Sequence, residues 1–479
     1  MKKIITILIL TAVTVTSCNK EALEPVPPTA ISSTDAFLTS QRVLQQVLGM
    51  YSAVKTSDFF AGRYMVTKEL RGEEFLNNTL NVAAGLATWE FSITPSHAEV
   101  HLVWRDAYAA INRSNVVFDG VQTSPAVSAA LKAQYQGEAR FLRALCHFAL
   151  VSLYARPYWD GNGTKEGIPL RLQANTTIGN NSLKRATVAE VYAAILNDLN
   201  FAETNLPLSY PTAFDNTTRA HRNTAIALKT RVYLNMQRYD MVITEANKIV
   251  TANAPFRAST GVAHLLSPSI SAVFSAPYTT PESVFSFTFT TLDAPTTVGV
   301  FYNPPPNGSG HFPLNPAGIM GNTGWKTTDA RRAFNQVSGA HTWIRKWPKN
   351  PSNESDNATC IRYAEVLLNL SEAIVRHNNV VDQRAIDLLN AIRQRSDPTT
   401  TFTLAGFAAP QDLLNQIAIE RRIELLGEGF RSFDRLRLGQ PLLGKGPVPT
   451  INPSDIQYIW PIPLSELLVN SACTQNPGY

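Results

Sequence analysis

An all-α fold is what this 479-residue sequence predicts, and three observations carry it. Apolar residues recur at i, i+3, i+4 and i+7 in separate blocks along most of the chain. Two stretches, 223–255 and 361–392, hold paired stripes with a short polar break between them, as in a helical hairpin. From 256 to 358 the helical period disappears and gives way to alternation, prolines and glycines. Together these describe an array of helical hairpins carrying an irregular loop and short-strand insertion.

The elements follow in order. Met1-Lys2-Lys3 and the apolar run Ile4 to Val15 form an export signal over 1–17, too short for the ~20 residues that span a bilayer. Val15-Thr16-Ser17-Cys18 resembles a bacterial lipobox, which makes Cys18 the lipidated first residue of the mature chain. Residues 18–30, with Pro25, Pro27 and Pro28, read as a stiffened tether. No second long apolar run follows, so the acyl chains are the expected membrane attachment.

The N-terminal helical region spans 31–255. Asp35 is a candidate cap for a stripe of Leu44, Val47, Leu48 and Tyr51. A second stripe runs Val100, Val103, Trp104, Ala107, Tyr108, Ile111, and a third, after Pro125, runs from Leu131 through Phe141 and Leu145 to Ala149. Thr187-Val188-Ala189-Glu190 is a capping box that starts the next helix. The turn at Gln237-Arg238 separates two stripes, with Tyr233 and Tyr239 six residues apart and Pro255 closing the unit. In the 256–358 insertion, Phe285, Phe287 and Phe289 alternate with Ser286, Thr288 and Thr290 as in a strand, and Trp343, Arg345 and Trp347 would share one strand face. Pro304-Pro305-Pro306 and Gly308-Ser309-Gly310 mark loops, where binding functions concentrate on rigid scaffolds. The C-terminal region, 359–479, returns to helical stripes: Ile361, Ala364, Leu367, Leu368, Ile374, then Ala385, Leu388, Leu389, Ile392.

Composition narrows the function. Apolar residues make up 44% of the chain, enough for a core, while charged residues are only 16% against roughly 25% in an ordinary soluble protein. The net charge of +5, or +3 without Lys2 and Lys3, is no footprint for nucleic acid. Four cysteines do not make a disulfide scaffold in so long a chain. Two catalytic motifs are imitated. His97-Ala98-Glu99-Val100-His101 has histidines at i and i+4, but a zinc protease needs its glutamate directly after the first histidine. Gly439 to Gly446 approaches a phosphate-binding loop, but Gly446 stands where a Ser or Thr must hold magnesium. No G-x-S-x-G elbow occurs, so no enzyme, cofactor or metal is expected.

Several segments resemble the SusD/RagB nutrient-binding lipoproteins of the Bacteroidetes outer membrane. The likeness is carried by Gly137-Glu138-Ala139-Arg140-Phe141-Leu142-Arg143-Ala144, by Arg362-Tyr363-Ala364-Glu365-Val366-Leu367-Leu368, by Leu389-Asn390-Ala391-Ile392-Arg393, by Ile419-Glu420-Arg421-Arg422-Ile423-Glu424-Leu425, by Gly429-Phe430-Arg431-Ser432-Phe433-Asp434-Arg435 and by the terminal Gln475-Asn476-Pro477-Gly478-Tyr479. It implies a tetratricopeptide-like fold at the cell surface and a partner, a SusC/RagA-type TonB-dependent β-barrel transporter, to which an oligosaccharide, or in RagB-like members a peptide, is passed. The charges within these apolar stripes, among them Arg140, Arg143, Glu420, Arg421, Arg422 and Glu424, suggest partly buried ion pairs that fix helix register.

Ligand contacts are expected in two places. Arg71, Glu73, Phe75, Asn77 and Asn78 lie between the first two helices, where many members of that family place them. Tyr302, Trp325 and Trp343, with His311, Phe312 and Trp347, offer rings in the insertion, each also open to plain packing. The family's starch-binding example has a Trp in the loop corresponding to 75–86; here it is aliphatic and amide-rich, which points away from a malto-oligosaccharide toward another glycan or a peptide backbone. A surface hydrolase using His97 and His101, and a scaffold that binds only protein, are the readings of other classes.

Overall fold

A computed structural model describes residues 35–177, 179, 182–289, 298–349 and 356–479 of the chain. The export signal, Cys18, the 18–30 tether and Thr290 lie outside the described residues. Eleven segments form the main helical elements: α1 (Ser40–Val54), α2 (Arg63–Leu70), α3 (Ala98–Thr123), α4 (Ala129–Tyr154), α5 (Val188–Asn205), α6 (Arg222–Asn235), α7 (Tyr239–Ala246), α8 (Tyr363–Asn378), α9 (Gln383–Ser396), α10 (Pro410–Glu424) and α11 (Arg431–Arg437). They stack in sequence: α1 on α3, α3 on α4, α4 on α5, α5 on α6, α6 on α7, α7 on α8, and α8 on α9 and α10. This is the tetratricopeptide-like array of hairpins, in which each apolar face is covered by the next pair.

The turns have local causes. Gln237, at φ 57°, turns the α6–α7 hairpin, and Asn379, at φ 52°, ends α8 before Asp382 caps α9 by accepting from the Ala385 amide at 3.1 Å. Between α3 and α4 the Ser124 hydroxyl donates to the Phe37 carbonyl at 2.6 Å, and Ser128 caps α4. The capping box at Thr187 is formed in both directions.

The first helix departs from expectation. Asp35 lies in a short 3₁₀ turn, Asp35–Phe37, and Thr39 caps α1 instead. The buried stripe is Val43, Val47, Met50, Tyr51 and Val54, leaving Leu48 44% exposed. Burial selects the i, i+4, i+7, i+11 row that α1 lays on α3, and Leu48 falls outside it.

Among the described residues six short strands pair as three antiparallel couples. β1 (Glu166–Pro169) joins β2 (Arg185–Thr187) between α4 and α5, β3 (Ser283–Phe287) joins β6 (Ala358–Arg362), and β4 (Asn335–Ser338) joins β5 (His341–Ile344) as a hairpin. The strand expected from the Phe285 alternation is β3, but it is buried on both faces because Ser283 and Ser286 also face protein. β5 ends at Ile344, so of Trp343, Arg345 and Trp347 only Trp343 lies in the strand.

One apolar cluster runs from Ala36 to Cys473 and draws on the helices and the insertion alike. A buried charge network then locks the insertion to the C-terminal helices. Arg362 of β6 pairs with Glu282 at 2.6 Å, Glu424 at 2.7 Å and Glu428 at 2.7 Å. Arg395 of α9 bridges Glu282 and Glu424, and Arg331 bridges Asp329, Glu420 and Glu424. Burial alone would favour the neutral carboxyl, yet Arg395, Arg362 and Arg331 together hold Glu424 well below the usual carboxylate range. The charges expected to fix register do pair in this way: Arg143 with Asp198 at 2.6 Å, Arg421 with Asp434 at 3.1 Å and Arg422 with Glu74 at 2.6 Å. Arg140 is the partial exception, lying 4.1 Å over the Phe201 ring with Asp198 at 3.8 Å.

Candidate functional site

The segment after α2 enters the core before it reaches the surface. Arg71 is 1% exposed, and its guanidinium donates to the carbonyls of Gln457 at 3.1 Å and Tyr458 at 2.7 Å. Glu73 is buried in an ion pair with Arg431 and lies 3.3 Å from Arg422. Burial opposes ionisation there, but Arg431 and Arg422 hold the Glu73 carboxyl below its usual range. Phe75 is fully buried and stacks on Tyr302 at 4.8 Å, and Tyr302 in turn stacks on Trp347 at 6.1 Å. The Phe75 carbonyl accepts from the Trp89 indole at 2.9 Å.

From Leu76 onward the backbone becomes one edge of a small irregular sheet. Leu76 N donates to Pro313 O and Asn78 N to His311 O, both at 2.8 Å, and Phe75 bridges Leu314. Leu314 N donates to Thr342 O at 2.8 Å, which joins this edge to β5 and through it to β4. The Asn77 amide folds into a local turn, donating to Thr79 O at 2.6 Å, while Asn78 reaches Gly310 O at 3.3 Å. The tip then projects into solvent, with Leu80 91% and Val82 55% exposed. Gly310 has φ 59°, and a Cβ there would stand 3.1 Å from Pro305 Cδ and 3.3 Å from the Trp343 ring, so a glycine lets this strap lie flat over Trp343.

Of the eight expected contact residues the structure therefore brings Phe75, Asn77, Asn78, Tyr302 and Trp343 to one neighbourhood, at two depths. Asn77 and Asn78 reach the surface. Phe75, Tyr302 and Trp343 lie beneath the edge with almost no surface to offer a ligand, because each ring is covered by the strap or by another ring. Arg71 and Glu73 are likewise turned inward, where a buried guanidinium or carboxylate must be paired. Trp325 is buried elsewhere, under the Arg332 guanidinium at 4.0 Å. Leu80 and Val82 are the aliphatics of the amide-rich 75–86 loop, and two such residues among asparagines are a signal of an exposed tip. His311, partly exposed beside Asn78, is pushed below its ordinary pKa by burial. Its neutral imidazole at neutral pH offers one donor and one acceptor.

The imitated motifs take structural roles. His97 precedes α3 and its Nδ1 accepts from the Thr94 amide at 2.9 Å, His101 contacts the Ser465 hydroxyl at 2.6 Å, and Glu99 is buried against Thr88. Burial pushes the Glu99 carboxyl up despite that hydrogen bond. Among the described residues no cluster of His, Cys, Asp and Glu is placed to hold a metal ion. Lys445, in the second motif, is buried and donates to Leu70 O and to Gly72 O, the latter at 3.0 Å, with the Phe91 ring 4.4 Å away. Cys146, Cys360 and Cys473 are buried and unpaired among the described residues.

Two family descriptions match the sequence: "Starch-binding associating with outer membrane" over residues 23–234 and "SusD family" over 316–446. The chain is similar to SusD-like protein P38 of Formosa agariphila, 23% identical over 99% of this chain and 98% of that one. In three dimensions it is similar to a SusD superfamily protein from Bacteroides fragilis, with TM-score 0.81 and 28% identity over 92% of this chain and all of the other. Surface glycan-binding protein A from Bacteroides fluxus superimposes with TM-score 0.73 and 22% identity, again over 92% of this chain and all of that one.

Proposed function

Because the chain belongs to the SusD family, we propose that it is a surface glycan-binding protein that captures an oligosaccharide without chemistry and passes it to a SusC-type TonB-dependent outer-membrane transporter. Lipidation at Cys18 holds it at the outer membrane in this reading, since no helix among the described residues is long and apolar enough to cross a bilayer. The observation that carries the binding site is the 76–82 edge. It presents two amides and a neutral imidazole as donors and acceptors beside an exposed aliphatic tip, over a floor of stacked rings that fixes the backbone. Sugar hydroxyls need paired donors and acceptors, and their C–H faces need an apolar neighbour. A preformed edge of this kind meets both needs with little ordering on binding.

A peptide is the second reading, favoured by the same amides and by Leu80, which suit a peptide backbone and an aliphatic side chain. Calorimetry of the purified protein against neutral oligosaccharides and short peptides separates the two. The glycan reading expects saturable oligosaccharide binding with no product formed, weakened about tenfold or more in Asn77→Ala/Asn78→Ala. Peptide binding alone would replace it with the second reading, and turnover of any oligosaccharide would overturn both.

A further inference from the structure

We propose that the cleft between the 156–166 turn and the 453–477 segment is a second binding subsite, shaped for a neutral, hydroxyl-rich ring such as a sugar residue. It uses none of the residues of the 76–82 edge; its ligand class rests on the glycan-binding reading.

The cleft measures about 720 Å³, within the roughly 300–1,000 Å³ of small-molecule sites. One wall is the turn that leaves α4, which takes left-handed conformations at Gly161, Asn162 and Gly163. At Gly163 a Cβ would stand 2.9 Å from the Ala189 Cβ, so the turn packs tightly on the start of α5. The opposite wall is 453–459 with Asn476 and Pro477.

Two side chains fasten the walls together. Arg156 lies 2.5 Å from the Asp160 carboxylate, donates also to the Pro453 carbonyl, and rests 5.2 Å over the Tyr458 ring. Asn476 donates to the carbonyls of Tyr154 at 2.8 Å and Trp460 at 2.7 Å and accepts from Arg185 at 2.7 Å. The cavity is thus held open by groups that are already satisfied, which is the condition for binding with little reorganisation.

The groups at the lip keep spare capacity. Lys165 is half exposed and spends one donor on Asp160 at 2.8 Å, leaving two N–H groups. Glu166, its side chain 53% exposed, stands on the same lip with acceptor capacity beyond what Thr474 and, at 3.5 Å, Arg185 use. Ile456, 41% exposed between Pro453 and Pro477, supplies an aliphatic patch.

Charge then selects the ligand. Arg156 and Lys165 face Asp160, Glu166 and Asp455, and Arg185 lies 3.5 Å from Glu166, so positive and negative groups at the cleft balance. A balanced lining has no surplus positive charge to hold phosphates or uronic acids. Donors and acceptors arranged about an aliphatic patch match a neutral ring with hydroxyls at its rim and C–H groups on its face.

The test is amide hydrogen exchange on the full chain with laminaripentaose, cellopentaose or maltopentaose, and with a galacturonic acid pentamer as the anionic counterpart. The expected result is slowed exchange over 452–459 with at least one neutral probe, separate from any protection at 76–83. Lys165→Ala and Ile456→Asp, both at exposed side chains, should each shift that protection to about tenfold higher probe concentration while thermal melting stays unchanged. Protection at 76–83 alone overturns the subsite and leaves the glycan-binding reading standing. Stronger protection of 452–459 by the acidic pentamer overturns the ligand class, and no protection at either segment overturns subsite and reading together.

Discussion

Three imidazoles in the interior make the protein sensitive to acid. His147 has no hydrogen-bond partner on either ring nitrogen among the described residues, and burial, with Arg143 as a lesser cause, pushes it down to about 3. Burial likewise pushes His264 down to about 4, and His221, stacked on it at 5.2 Å, falls well below its ordinary value. These groups stay neutral in the folded chain, whereas the unfolded chain protonates them near pH 6.5. Their contribution is therefore fully present above about pH 6.5 and is lost as pH falls toward the folded values. Each such imidazole should cost about 2 kcal/mol between pH 6.5 and 4.5. Urea unfolding at pH 7.5 and pH 5 checks this: His147→Leu should lose less stability on acidification than the parent, and an unchanged difference would refute the assignment. Nothing in the sequence around His147 distinguishes it from a surface histidine except the apolar stripe of α4 that carries it inward.

Helices carried their own signals, and of the strands β3 did so through its phenylalanine alternation. Thr187 accepts from the Glu190 amide at 3.2 Å while the Glu190 carboxylate accepts from the Thr187 amide at 2.7 Å, so the start of α5 is written in four residues. Because α5 lies between α4 and α6, Thr187→Ala should lower stability by about 1 kcal/mol, read as a shifted urea midpoint at constant slope. An unshifted midpoint would mean that tertiary packing alone sets this terminus. β1, β2 and β6 left no comparable trace, since they are three to five residues long and show no alternation of burial. They exist because a partner strand and the core come together there. The shift of stripe in α1 has the same origin: periodicity gave the helix, and the surface of α3 chose which row to bury.

At the scale of the whole molecule, the helical array and its insertion share one core, and the ion network around Arg362 and Glu424 joins them. The proposed anchor lies at the other end of the chain. Cys18→Ala should release the protein from outer membranes into the soluble fraction, since the acyl chains would be its membrane attachment; sedimentation with membranes in high salt would refute the lipid anchor. Sequence by itself determined the all-α class, the hairpin pairs, the irregular insertion and the family, because helical periods, caps and ordered motifs are local and repeat along the chain. It also named Asn77 and Asn78, which the fold brings to the surface. Only the tertiary structure decided that Phe75, Tyr302 and Trp343 are buried, that Arg71 and Glu73 face inward, and that a cleft opens between residues 156–166 and 453–477. An aromatic ring or a charge has the same local sequence whether it meets solvent or protein. The difference lies in partners distant along the chain, as with Arg71 and Tyr458 or Glu73 and Arg431, and no local pattern records them.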